Sequence, residues 1–213
     1  MTNGKKHIFG AYYIDREYLD ALRQNDNDHI SYADYEDKGG ARKFYCGPVM
    51  TEHGIDYYVP VSHSEHNMYI QGSAQNGIKE YHGINMVTRS CEHIGCLDFR
   101  YMIPCVDDRF IESHTPHGHG KTQMNFCYEH ENEIKMLARD TYNNITADTY
   151  PELTRSSVKF EKALDTAWDY LDKVEEKEEA DKQKAKISMR YTTASHMTCN
   201  ISTEADISDF TKG

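Results

Sequence analysis

Lys43 opens one apolar stretch, KFYCGPVM, and Ser62-His63-Ser64-Glu65-His66 follows directly on the next, IDYYVPV. A lysine ammonium beside hydroxyl and imidazole groups can stabilise a pentacoordinate phosphate and move protons without a metal. That chemistry suits RNA, whose 2′-hydroxyl can attack its own phosphodiester. Spacing alone leaves a second reading open, an ordinary surface lysine beside a polar turn. A second group is His114, His117 and His119, with Cys91, His93 and Cys96 upstream. Imidazole and thiolate bind zinc. A Gly/Pro-containing loop does not fix tetrahedral geometry, however, and the chain has neither a Cys-x-x-Cys pair nor a His-Glu-x-x-His helix. A solvent-exposed polar loop is the simpler reading, and a metal-dependent enzyme built on His114–His119, Cys91 and Cys96 is its rival. GSAQNG and PHGHGK lack phosphate-loop spacing, and no Gly-x-Ser-x-Gly elbow exists for a serine hydrolase.

The elements that must position these groups can be read from periodicity. Residues 11–24 begin as a strand, AYYI. They continue as a helix with Asp15 at its N-cap and Tyr18, Leu19 and Leu22 on one face. Residues 43–60 predict a hairpin turning at Glu52-His53-Gly54, which brings Lys43 and the Ser62–His66 segment to the same open end. Residues 63–75 read as a loop, 83–87 and 95–106 as strands, and 112–121 as irregular. From Met124 the pattern turns helical through Ile145, and again from Glu152 to about residue 186. Strands first and helices later predict an α+β domain.

The chain has 213 residues, with 24 basic and 35 acidic side chains and a net charge of −11. Acidity on that scale argues against a globally basic nucleic-acid binder, yet residues 111–180 alone carry 15 of the acidic groups, so a local basic groove in the first half stays open. Sixteen tyrosines argue against disorder. No apolar run reaches the length of a membrane span, and the N-terminus lacks the apolar core of an export signal. A cytoplasmic protein with six reduced, buried cysteines and no membrane partner is expected. The charged tract 172–186 reads as a solvated helix.

Two blocks, KFYCGPVMTEHGIDYYVPVS (43–62) and GCLDFRYMIPCV (95–106), resemble the endoribonuclease toxins of type III toxin–antitoxin systems, the ToxN/AbiQ family. That family shows a Lys- or Arg-led strand with Gly four residues on, an acidic-Gly turn, and a Tyr-x-x-Pro-aliphatic-Ser/Thr strand. A Gly-x-aliphatic-Asn/Asp-x-x-x-Met-Ile-Pro strand follows. Lys43, Gly47, Gly54, Tyr57, Pro60, Ser62, Gly95, Asp98, Met102, Ile103 and Pro104 fit it without a gap in either block. The resemblance covers about residues 8–170.

It implies a twisted antiparallel sheet, partly barrel-like, wrapped by helices, with a helical C-terminal half. It implies metal-free RNA cleavage to 2′,3′-cyclic phosphate and 5′-hydroxyl ends, with no cofactor. The implied partners are a repetitive pseudoknot RNA antitoxin, which the toxin processes and which inhibits it in cyclic RNA–protein assemblies, and cellular or phage RNA substrates, with a role in phage abortive infection. By position Lys43 corresponds to the family's active-site lysine, Ser62 to its Thr/Ser and Tyr18 to a tyrosine lining the site.

After Ser62 the family usually reads Ser-Pro-Lys, whereas this chain has His63-Ser64-Glu65-His66. Ser64 could take the hydroxyl role, His63 or His66 could supply acid–base function, or the chain could be a weakened, RNA-binding member of the fold. The catalytic candidates are therefore Lys43, Ser62, His63 and Ser64. The RNA-binding candidates are Tyr18, Tyr32, Arg42, Phe44, His66, Lys79 and Arg89. Arg100 is a further candidate, with contact to Asp98 as its structural alternative. Residues 1–172 are expected to form the toxin domain and 173–213 a charged helical extension.

Overall fold

The computed structural model describes residues 7–24, 27–35, 41–62 and 82–201, excepting the side chains of residues 34, 35, 41 and 187–201. Among the described residues, nine strands and five helices alternate little. The order is β1 (Gly10–Ile14), α1 (Arg16–Gln24), β2 (Asp34–Tyr35), β3 (Ala41–Arg42), β4 (Tyr45–Glu52), β5 (Ile55–Ser62), β6 (Gly83–Val87), β7 (His93–Asp98), β8 (Ile103–Cys105) and β9 (Ile111–His114). Then come α2 (Gly118–Glu129), α3 (Glu131–Thr146), α4 (Pro151–Arg155) and α5 (Phe160–Ile201). The chain divides into two compact units, Met1–Tyr170 and Leu171–Gly213. In the second unit, the described side chains of α5 are mostly exposed and charged. No helix among the described residues is long and apolar enough to cross a membrane.

Seven strands form an antiparallel sheet in the order β6-β7-β5-β4-β1-β9, with β8 also paired to β5, while β2 and β3 form a separate ribbon. The sheet is open rather than barrel-like: among the described residues nothing joins β6 to β9. β5 is central, and its Tyr57, Tyr58, Val59, Pro60 and Val61 are all buried. A strand covered on both faces has no reason to alternate polar and apolar residues. α1 buries Tyr18, Leu19 and Leu22, and Asp15 accepts from the Tyr18 N–H at 2.9 Å, as its N-cap position requires. α3 buries Ile134, Leu137, Ala138, Thr141 and Ile145 at helical spacing.

Three elements differ from the sequence expectation. The strand expected over 95–106 breaks after Asp98 into a 3-10 turn, Phe99–Tyr101, before β8. Asp98 causes the break: its carboxylate accepts from the Arg100 backbone N–H at 3.1 Å and grips the Arg100 guanidinium at 2.6–3.1 Å. Arg100 thereby serves the fold and also donates to Ser156 at 3.1 Å. Residues 112–121 are not irregular, because β9 pairs with β1 through Ala11↔His114 and α2 begins at Gly118. Finally, the helical pattern read from Met124 begins earlier, at Gly118, and is divided at His130 into α2 and α3, the latter starting at Glu131.

Candidate active site

The β4–β5 ladder pairs Tyr45 with Pro60 and Cys46 with Val59, and the Val61 N–H donates to the Phe44 carbonyl at 3.0 Å. Continuing that register by one residue sets Lys43 directly opposite Ser62. Residues opposite each other in an antiparallel pair share a face, with Cβ atoms about 4.5–5.5 Å apart. On its other side the Lys43 N–H donates to the Ala33 carbonyl at 2.7 Å, next to Tyr32. Lys43 is half-buried, as is Ser62. Arg42, Lys43 and Phe44 thus stand at the open end of the hairpin by Ser62, and the Lys43–Ala33 hydrogen bond brings the backbone next to Tyr32 to the same end.

Ser62 is held by its backbone. It pairs with Cys96 on β7, and Gln123 of α2 donates its side-chain amide to the Ser62 carbonyl at 3.1 Å and to the Ile94 carbonyl at 2.8 Å. Gly95 permits that approach. It has a φ of +148°, and a Cβ there would lie 2.4 Å from the Gln123 Nε2 and 2.5 Å from the Ser62 carbonyl oxygen. Gly47 plays a comparable part on β4, where a Cβ would stand 2.5 Å from the Tyr58 ring.

The cations and rings around Lys43 are pre-positioned. Arg42 donates to the Ile14 carbonyl at 2.9 Å, lies 3.7 Å from Glu112, and stacks its guanidinium 4.6 Å from the centre of the Tyr13 ring. Tyr32 is 50% exposed, with the Arg23 guanidinium 3.2 Å from its ring centre. The Phe44 ring lies 5.8 Å from that of His114, and the first turn of α2 abuts it at Gly120. His114 in turn is bonded to the Tyr13 hydroxyl through Nε2 at 3.2 Å. Burial pushes the His114 pKa down; His117 and Arg42 add to this, and Glu112 opposes it.

Tyr18 does not belong to this cluster. It is wholly buried, its ring stacks on Phe110 at 4.6 Å, and its hydroxyl donates to the Pro104 carbonyl at 2.8 Å. A ring enclosed on all sides has no face for a base, so the expectation that Tyr18 lines the site is corrected: it is a core residue. Arg89 is exposed on the turn after β6, three strands from β4. It lies 3.8 Å from Glu129 at the rim of a cleft of about 510 Å³. The structure does not bring it to Lys43. His63, Ser64, His66 and Lys79 lie outside the described residues.

The proposed metal loop separates in space. His114 sits on β9 against Tyr13, His119 bonds the Ile94 carbonyl at 2.9 Å, Cys96 is buried and Cys91 is exposed on a turn. Among the described residues no three His, Cys, Asp or Glu side chains gather as a metal-ligand set. The described cysteines are free thiols, four buried as expected and Cys91 exposed against expectation.

Tyr13 and His114 were not singled out as neighbours of Lys43 by sequence reasoning. Ile111-Glu112-Ser113-His114 has one apolar residue followed by three polar ones and shows no alternation, so the segment carries no strand signal of its own, and the nearby Gly and Pro residues point to a loop.

A search of curated proteins found no match. Among solved structures, the fold is similar to AbiQ, a lactococcal anti-phage endoribonuclease of a type III toxin–antitoxin system. The TM-score is 0.62 at 15% identity, covering 78% of this chain and 99% of that one. A bacterial type III system whose toxin is selectively inhibited by a non-coding RNA pseudoknot gives 0.61 at 19% identity, covering 75% and 96%. A bacterial antiviral system regulated by a processed non-coding RNA gives 0.60 at 15%, covering 75% and 98%. At such identities the likeness is one of fold. Residues 11–168 match the family model of toxin ToxN of type III toxin–antitoxin systems, and the chain therefore belongs to that family.

Proposed function

We propose that this chain is a metal-independent endoribonuclease toxin, silenced by a repetitive pseudoknot RNA antitoxin that it also processes. The observation that carries the reading is the β4–β5 register, Tyr45↔Pro60 followed by the Val61–Phe44 hydrogen bond, whose continuation sets Lys43 opposite Ser62, with Arg42 and Phe44 on either side of Lys43 in the chain. Lys43 stabilises the negative charge that develops on the phosphate as the 2′-oxygen bonds to phosphorus and the 5′-oxygen leaves. Ser62 orients a non-bridging oxygen. His63 or Ser64 joins Ser62 in orienting that phosphate, and a nearby His or Tyr assists transfer of the 2′-hydroxyl proton and its counterpart to the departing 5′-oxygen. The products are a 2′,3′-cyclic phosphate and a 5′-hydroxyl.

Tyr32 and Phe44 offer rings for unpaired bases, Arg42 a cation for the backbone, and His66 and Lys79 further contacts. Arg89, apart from this cluster, would meet only an RNA long enough to cross the sheet. The toxin domain is assigned to residues 1–172 and acts in the cytoplasm on cellular or phage RNA, with phage abortive infection as the outcome. With its antitoxin it forms a cyclic RNA–protein assembly.

The test is cleavage of RNA by purified protein in EDTA, with product ends mapped and Lys43→Ala alongside. Cyclic-phosphate ends that vanish in the variant support the reading. Cleavage by Lys43→Ala at the parental rate, or activity only after zinc is added, would overturn it.

A further inference from the structure

Phe44, read above as a ring for an unpaired base, stands beside Tyr13 and His114, to which no role has been given; all three are half-buried. Their strands place them together. His114 pairs with Ala11, and Ala11 pairs with Cys46, two residues from Phe44. The Phe44 and His114 rings are 5.8 Å apart and inclined at 48°, while the Tyr13 and His114 rings are 4.1 Å apart. Arg42 lies over the outer ring of this series, Tyr13.

Resting on the ribonuclease reading above, we propose that Phe44 and His114 form a base-stacking subsite for the nucleotide next to the scissile phosphate, with Tyr13 as a positioning residue that fixes the imidazole. Phe44 follows Lys43 in sequence, about 3.8 Å away between Cα atoms, which is within the span of one nucleotide. By strand alternation the two side chains leave opposite faces. An RNA strand crossing the end of the ladder meets Lys43 on one side and the ring pair on the other. Aromatic and imidazole faces stack on any base, and Arg42 beside them takes the adjoining phosphate.

His114 is held neutral by burial first, with His117 and Arg42 adding to this and Glu112 opposing it, so a base stacked here meets an uncharged ring; the kinetics below separate stacking from proton transfer. The hydrogen bond between the Tyr13 hydroxyl and Nε2 engages that ring nitrogen, while Nδ1 has no partner among the described residues and is left for RNA.

The experiment has two arms. In the first, His114→Ala and His114→Phe are compared with the parent in RNA cleavage. The expected result is a KM raised about tenfold in His114→Ala with kcat little changed, and recovery of most of the loss in His114→Phe, which keeps a ring but no imidazole. Tyr13→Phe should raise KM by a smaller factor. A fall in kcat at constant KM that His114→Phe does not restore would overturn the proposal, since the imidazole would then be moving a proton.

The second arm measures binding of a fluorescein-labelled single-stranded RNA of mixed sequence to Lys43→Ala, with and without His114→Ala. About tenfold weaker binding is expected, and equal binding would overturn the subsite. Thermal unfolding of each variant separates loss of the site from loss of the fold. If the parent proves not to cleave RNA, the ribonuclease reading fails while the binding arm still decides the subsite.

Discussion

Gln123 donates one side-chain amide to the carbonyls of Ser62 and Ile94, and so ties α2 to the strand that ends at Ser62. The residue is only 4% exposed, so its partners have no easy access to water in its place. Gln123→Leu should therefore destabilise the protein by about 1–3 kcal/mol in a denaturant titration. It should also lower RNA cleavage by more than any fraction unfolded explains, because Ser62 loses its anchor. An unchanged cleavage rate with reduced stability would separate this contact from the site.

Gly95 stands between those same partners. Its φ of +148° and the 2.4–2.5 Å approaches of a Cβ to Gln123 and Ser62 leave no room for alanine. Gly95→Ala should cost about 3 kcal/mol from strain and overpacking together. A melting temperature within a degree or two of the parent would contradict the close approach.

Tyr18 offers a contrast between core and site. Tyr18→Phe removes the donor to the buried Pro104 carbonyl and should cost about 1–2 kcal/mol of stability. RNA affinity at a temperature where the variant is folded should match the parent. A selective loss of RNA binding would return Tyr18 to the site.

His114 should leave a mark on the pH dependence of stability. Its pKa in the folded protein lies below the ordinary value near 6.5, through burial first and then the neighbouring His117 and Arg42. Between the folded value and about 6.5 the unfolded chain binds more protons. The stability difference is thus intact above about pH 6.5 and is lost as pH falls below it. Urea titrations at pH 7.5 and pH 5.5 should show a smaller drop in His114→Phe than in the parent. Equal drops would contradict the shift.

The thiols should differ sharply in reactivity. Burial drives the Cys105 thiol up to about 12 and Cys46 well above its ordinary range, and Cys96 and Cys127 are also enclosed, whereas Cys91 is exposed. In a Cys199→Ser background the native protein should show one fast thiol by disulfide-exchange titration, and Cys91→Ser should abolish it. Two or more fast thiols in that background would show the core to be open.

Much of this arrangement was legible in the residues. The run from Ile55 to Ser62 and the turn at His53-Gly54 specify the hairpin, whose register, continued past Tyr45↔Pro60, sets Lys43 opposite Ser62. Asp15 and the spacing of Tyr18, Leu19 and Leu22 define α1, but spacing cannot say whether a tyrosine on an apolar face is enclosed or lines a groove. Phe110 and Tyr170, distant in sequence, decide that for Tyr18. The break after Asp98 depends on a carboxylate turning back onto Arg100, a local competition that strand periodicity does not register. β9 was hidden because its pairing with β1 spans about a hundred residues, and only that pairing brings His114 to Tyr13 and Phe44.

The central claim is that Lys43 and Ser62 act on one phosphate as a unit. A double-mutant cycle of Lys43→Ala and Ser62→Ala, read as kcat/KM for RNA cleavage in EDTA, tests it most directly. Strong non-additivity is expected, with the double variant within about threefold of the slower single variant. Losses that multiply across the two sites would mean that the residues work independently, and a parental rate in either single variant would remove that residue from the site.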